Sequence, residues 1–174
     1  MELKRVVVTG LGALTPIGNN VNEYWDNLIS GKSGAAPITY FDTEKFKTKF
    51  ACELKGFNVL DFLDRKEARK MDRFTQYAMV ASEQAIRDSK LDLDSIDNYR
   101  SGVIWGSGIG GIETFQDELI NFATGDGTPR FNPFFIPKMI GDIAPGHISM
   151  KYRFMGPSYT TVSACASSAN AMVD

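Results

Sequence analysis

The sequence predicts an α/β protein with a mostly parallel sheet covered by helices on both faces. Two observations carry that expectation. Short runs rich in β-branched and apolar residues read as buried strands, two of them with glycine immediately after. Between these runs lie longer stretches with helical spacing, so strand and helix signals alternate along the chain. At 174 residues and 43% hydrophobic content, the chain can bury a core and suits roughly one ordinary domain.

Arg5–Thr9 (RVVVT) ends at Gly10 and is expected as the first buried strand. Asn22–Ser30 (NEYWDNLIS) reads as a short helix, with Asn22 as N-cap and Gly31 as the stop. Asp64–Lys90 gives the strongest helical signal. Ala68, Met71, Thr75, Ala78, Ala81 and Ala85 recur at spacings of three and four and form a stripe of small residues. Gly102–Trp105 reads as a second strand, and Ile112–Phe122 as a helix ended by the turn-rich GDGTPRFNP. Ile136–Lys151 is a weaker helix, and Ser158–Val162 a further strand. There is no internal repeat, low-complexity tract or flexible linker in this pattern.

Charge and composition narrow the function. A net charge of -2 supplies no basic field for nucleic acid or a membrane surface. The longest apolar runs fall far short of the ~20 residues that span a bilayer. The start, MELKRVVVTG, has a strand where a secretory signal would carry a longer apolar region, so a cytoplasmic protein is expected. Two cysteines, Cys52 and Cys165, make no disulfide framework, and without a CxxC or histidine cluster no metal is expected.

Two glycine motifs point towards nucleotides but lack the required context. Gly106–Gly111 (GSGIGG) satisfies GxGxxG after a strand, yet the acid due ~20 residues later would fall in the Gly125–Asn132 loop with no strand before it. In TGLGALTPIG, Thr15 occupies the third glycine position, and Pro16 and Gly18 interrupt the place for a phosphate-binding helix. Tight turns with close backbone packing explain both motifs, and no cofactor is expected.

Cys165 lies in TVSACASSANAMVD, at the junction of the last strand and a helix expected near Ala164. A helix N-terminus stabilises a thiolate, and the small neighbours Ser163, Ala164, Ala166, Ser167 and Ser168 permit a sharp turn and let a substrate approach the sulfur. Equally, free cysteines are often buried hydrophobes, and Ala/Ser runs often mark close helix packing. Both readings fit the residues. A nucleophilic thiol needs a base or electrophilic partner, and the only histidine, His147, lies in a segment patterned for packing. The Cys165 helix has neither full length nor a stop signal by Asp174, so a piece of a longer protein, truncated within that helix, is expected.

The ordered series VVVTGLGALTPIG, RKEARKMDRFTQYA, WGSGIGGIE and FFIPKMIGDIAPGHISMKYRFMGPSYTTVSACASS resembles the N-terminal portion of β-ketoacyl-[acyl-carrier-protein] synthases, of the condensing-enzyme, thiolase-like superfamily. The resemblance covers essentially all of residues 1–174 and is nearest the type II synthases of bacterial fatty acid synthesis. It implies the N-terminal half of a thiolase-like layered fold, with Cys165 as the acylated nucleophile. Two histidines and a lysine would lie in the C-terminal half. It also implies that Ile109, in the GSGIGG turn, gates the acyl-chain tunnel, and that the enzyme is a homodimer, with the segment from about Phe134 to Met150 and the last strand near the two-fold axis. Lys66, Arg69, Lys70 and Arg73 recur at helical spacings and form one basic face, which is either an ordinary solvated face or, as the resemblance implies, the dock for acidic acyl carrier protein. The expected activity is acylation of Cys165 from a carrier-protein thioester, followed by decarboxylative condensation with malonyl carrier protein. A polyketide-type ketosynthase, a cysteine thioesterase and a non-catalytic carrier-binding fragment are the alternatives.

Overall fold

The computed structural model describes residues 4–174. These divide into two compact units, one built from the chain up to Asn58 with Val80–Leu91, the other from Val59–Met79 with Asp92–Asp174.

In the first unit, helix α1 (Val21–Ile29) is capped by Asn20, whose side chain accepts from the Glu23 N–H. The cap is therefore Asn20, two residues before the expected Asn22. Asn20 is the residue with the extended backbone a cap requires, whereas Asn22 already lies within the helix. Gly31 follows with φ +72, in the left-handed region where a side chain is strained. A short antiparallel ladder, β1 (Ala36–Pro37) with β2 (Phe50–Ala51), also lies in this unit. The expected strand at Arg5–Thr9 is not formed. Its residues are exposed, and among the described residues none pairs with them in a ladder. β-branched residues favour extended backbone, but only a neighbouring strand can satisfy its N–H and C=O groups and make it a sheet. Gly10 and Gly12 instead lie against the later turns of the long helix. A Cβ at either glycine would overlap the carbonyl oxygen of Ala85 or Ala81, so the small-residue stripe serves close backbone approach.

The second unit holds the larger core. Helix α2 (Arg65–Ala68) is capped by Asp64, and α3 (Arg73–Ser89) contributes its first turns here and its remaining turns to the first unit. The single helix expected over Asp64–Lys90 is thus broken. Asp72, with Oδ1 accepting from Phe74 N–H at 3.2 Å, starts a new helix in place of continuing the old one. The apolar stripe nevertheless faces inward, with Ala68, Met71, Ala78 and Met79 buried against Ala144 and Ile148. Strand β3 (Val103–Gly106) lies parallel to β4 (Ser158–Thr161), with Val103 opposite Ser158 and Gly106 opposite Thr161. Helices α4 (Ile112–Thr124), α5 (Phe135–Met139) and α6 (Ile143–Tyr152) fill the crossover, and α7 (Ser167–Val173) follows β4. The helix expected over Ile136–Lys151 is two helices, because the backbone turns extended at Ile140. The Gly141 carbonyl, released from helical bonding, accepts from Thr160 Oγ1 at 3.1 Å.

Adjacent residues of a strand point to opposite faces. Thr160 bonds the start of α6 and Thr161 bonds the start of α7, so these two helices cover opposite faces of the parallel pair. Val103 and Trp105 of β3 meet the α3–α6 core. The α/β class with helices on both faces holds for this pair.

Candidate active site

The chain between β4 and α7 is a sharp turn. Ala164 adopts φ +49, in the left-handed region that an alanine visits only at a cost of about 1–2 kcal/mol. Cys165 follows in a single 3-10 turn, Ala164–Ala166, and its side chain is an exposed free thiol. Polar side chains hold the turn from beneath. Buried Ser167 accepts from the Ser163 N–H at 2.9 Å and donates to the Ala164 carbonyl at 2.8 Å. Asn170 Nδ2 donates to Ser163 Oγ at 2.6 Å, and Thr161 Oγ1 donates to the Ser167 carbonyl at 2.8 Å. The frame is thus fixed by hydrogen bonds while the sulfur stays open, the arrangement a strained nucleophile turn needs.

The small residues around Cys165 also have a packing role. A Cβ at Gly106 would come within 2.6 Å of the Ser167 and Ser168 backbone, so the end of β3 passes directly under the start of α7. The GSGIGG turn continues from there. Ser107 N–H donates to Thr161 carbonyl at 3.2 Å, and a Cβ at Gly108 would touch the Ala164 carbonyl at 3.7 Å. Gly110, at φ +87, and Gly111 press against α5, where Gly111 N–H donates to the Met139 carbonyl at 2.9 Å. Backbone packing therefore accounts for these glycines, and it brings the turn carrying Ile109 beside the turn carrying Cys165. Ile109 is 74% exposed and, with Ile112, Phe115, Met139, Ile140 and Gly141, lines an apolar cavity of about 320 Å³.

The four cations of the basic face are not equivalent. Lys66, Arg69 and Lys70 are exposed on α2 and the segment after it. Arg73 is half-buried and bonded to Glu113 at 2.8 Å. His147 is half-buried in α6; burial lowers its pKa, Glu67 raises it and Lys70 lowers it again, so its charged surroundings are the α2 segment. A second, polar cavity of about 360 Å³ is lined by Leu93, Asp94, Asn98, Lys151, Tyr152 and Arg153, which no sequence motif marks. Among the described residues no group of three or more His, Cys, Asp or Glu stands together as a metal set. Sequence reasoning singled out Cys165 and Ile109 and named Ser163 and Ser167 only as small neighbours. It missed their hydrogen bonds and the part played by Asn170, for which the spacing of three and four was the available signal.

Known proteins are similar to this chain in sequence and in fold. A 3-oxoacyl-[acyl-carrier-protein] synthase 2 of Staphylococcus aureus (strain COL) is 48% identical over 172 residues, covering 97% of this chain and 41% of the relative. One from Synechocystis sp. (strain ATCC 27184 / PCC 6803 / Kazusa) is 45% identical over 174 residues, covering 100% of this chain and 42% of the relative. The chain therefore spans about two fifths of the length of these relatives. Among solved structures, a ketosynthase bound to the hexaketide and in complex with its type II polyketide acyl-carrier protein superposes with a TM-score of 0.82 at 27% identity, over 98% of this chain and 45% of that one. A β-ketoacyl synthase from Burkholderia phymatum STM815 gives 0.81 at 29% identity, over 98% and 42%. These likenesses carry the thiolase-like class. The model for the β-ketoacyl synthase N-terminal domain matches residues 3–174, and by this match, together with the strand–turn–cysteine geometry, the chain belongs to the β-ketoacyl synthase family.

Proposed function

We propose that the chain is the nucleophile-bearing part of a 3-oxoacyl-[acyl-carrier-protein] synthase of fatty acid biosynthesis, an acyltransferase. The observation that carries this reading is the exposed Cys165 thiol on a hydrogen-bonded, left-handed turn between β4 and α7. In the reaction, the sulfur attacks the thioester carbonyl of an acyl carrier protein. The new C–S bond forms on Cys165 as the carrier thiolate leaves. Malonyl carrier protein then loses CO2, and the resulting carbanion attacks the acyl-enzyme carbonyl to release 3-oxoacyl carrier protein and free the cysteine. The backbone N–H of Cys165 is suited to donate to the carbonyl oxygen as charge develops on it. The histidines and lysine that assist decarboxylation belong, in this reading, to the remaining length that the relatives have.

The acyl chain is assigned to the cavity beside Ile109, whose lining is apolar. The carrier protein is assigned to Lys66, Arg69 and Lys70, with Arg73 completing the row; among the described residues no carboxylate lies in ion-pair range of the first three. A homodimer is proposed, with the surface around Ile136, Met150 and Tyr159 as the contact, since these apolar side chains are exposed. The cytoplasm is the proposed compartment, a reducing one suited to two exposed free thiols. A polyketide-type ketosynthase is the second reading, favoured by the superposition on a ketosynthase holding a hexaketide.

The test is intact-protein mass spectrometry of the full-length enzyme with an acyl carrier protein donor. Wild type gains the acyl mass, and Cys165→Ala does not. Acylation of the Ala variant at the wild-type rate would overturn the assignment. Hydrolysis without condensation would favour a thioesterase, and extension through several malonyl units without reduction would favour the polyketide reading.

A further inference from the structure

Asp72 is a carboxylate that is only 7% exposed, and it serves two helices at once. Towards α3 it is the cap: its carbonyl accepts from Gln76 N–H at 3.1 Å, and Oδ1 accepts from Phe74 N–H at 3.2 Å. Towards α4 its other oxygen, Oδ2, accepts from Thr114 N–H at 3.0 Å and from Thr114 Oγ1 at 2.6 Å. Helix α4 has Gly111 in its own cap position, with no side chain to satisfy the free N–H groups of the first turn. Asp72 supplies that acceptor from a point 42 residues earlier in the chain. The neighbouring Arg73–Glu113 pair, at 2.8 Å, joins the same two helix starts on the outside.

The first turn of α4 is the wall of the apolar cavity, through Ile112 and Phe115, and it continues directly from the turn that carries Ile109. Asp72 also lies within the cationic segment, between Lys70 and Arg73. One buried carboxylate thus connects the surface assigned to the carrier protein with the wall of the space assigned to its cargo. We propose that Asp72 is a positioning residue that fixes the α4 start and the Ile109 turn against the carrier-docking segment, and so sets which acyl-chain lengths are transferred to Cys165. This inference rests on the roles given above to Ile109 and to the basic face.

Asp72→Asn separates this role from plain helix capping. The amide retains one oxygen for α3 but would turn an NH2 towards the Thr114 N–H, donor against donor. Thr114→Val removes the hydroxyl bond alone. In the full-length enzyme, Cys165 acylation is followed with carrier proteins bearing short, medium and long saturated chains. For Asp72→Asn, the ratio of kcat/KM between longest and shortest chains is expected to change by about fivefold or more, the scale on which apolar pockets discriminate methylenes. KM for the carrier protein should stay within about twofold, since Lys66, Arg69 and Lys70 are untouched. Asp72→Asn combined with Thr114→Val should be no worse than Asp72→Asn alone, because both act through one contact.

A chain-length profile identical to wild type overturns the proposal, and so does a uniform fall at every chain length that tracks lost thermal stability. Amide hydrogen exchange gives a readout that needs no activity. Protection at Ile112–Phe115 and across the Ser107–Gly111 turn should fall in Asp72→Asn, and unchanged protection there also overturns it. Where wild type shows that protection but no Cys165 acylation, the synthase reading fails, and the specificity role of Asp72 fails with it.

Discussion

His147 and Arg153 show how single residues of α6 record their surroundings. Burial holds the His147 imidazole below its ordinary value of 6.5, and that outweighs the pull of Glu67 in the other direction. The folded state therefore prefers neutral His147, and the unfolded chain binds the extra proton first as pH falls. This contribution to stability is complete above about pH 6.5 and is lost as pH falls through the depressed folded value. Denaturation midpoints at about pH 7.5 and pH 5.5 should fall further for wild type than for His147→Gln, whose side chain cannot titrate. Equal falls in both proteins would show that carboxylates alone carry the acid sensitivity. Arg153 ends α6 with φ 58 and ψ 32, where glycine is the usual occupant. Arg153→Gly should raise the unfolding free energy by about 1 kcal/mol, read from urea titration, by removing the left-handed penalty. No gain would mean that the exposed guanidinium makes up for the strain.

At the scale of elements, α2 and the start of α3 carry the sharpest functional prediction. Reversing two exposed cations, Lys66→Glu with Arg69→Glu, should weaken kcat/KM for carrier-protein substrates while leaving small thioester mimics nearly unchanged. Each exposed charge contributes about 1 kcal/mol or less, so the double change is needed for a clear reading, and the defect should shrink as salt rises. Equal losses on both substrate types would point to a folding defect. The same elements show what sequence can reveal. The Ala68–Met71–Ala78 spacing revealed which face is buried, because burial follows periodicity whether or not the helix is continuous. It hid the break, since one aspartate, Asp72, decides between continuing a helix and capping a new one. The turn at Cys165 was legible because a sharp turn and close backbone packing both demand small neighbours in an unbroken run. The Asp72–Thr114 contact was not, because nothing local marks a pairing across that distance. Arg5–Thr9 was misread as a strand, because a β-branched run does not supply a pairing partner, and among the described residues none pairs with it.

For the whole molecule, residues 1–174 made alone should yield no 3-oxoacyl product from acyl and malonyl carrier proteins. In the proposed reading histidines assist decarboxylation, and the only histidine of residues 1–174 is half-buried in α6 beside α2 charges. Residues 1–174 made alone should also be only marginally soluble. Val6 (89% exposed), Val162 and Met172 present apolar surface that a larger assembly would cover. Product formation in a direct condensation assay would show that nothing beyond residues 1–174 is needed for the chemistry. A slow reaction of Cys165 with a thiol reagent is expected even here, because its sulfur is already open to solvent.

The sharing of α3 between the two units has a consequence for biosynthesis. The first unit is not a continuous stretch of chain: residues up to Asn58 must wait for Val80–Leu91 to be made before they have their full complement of contacts. A ribosome adding about 5–20 residues per second leaves that opening segment, with its three consecutive valines, without its helix for seconds. Gly10 and Gly12, which pack against the Ala85 and Ala81 carbonyls, lack those neighbours during that interval, and slowing translation between Asn58 and Leu91 should lengthen it.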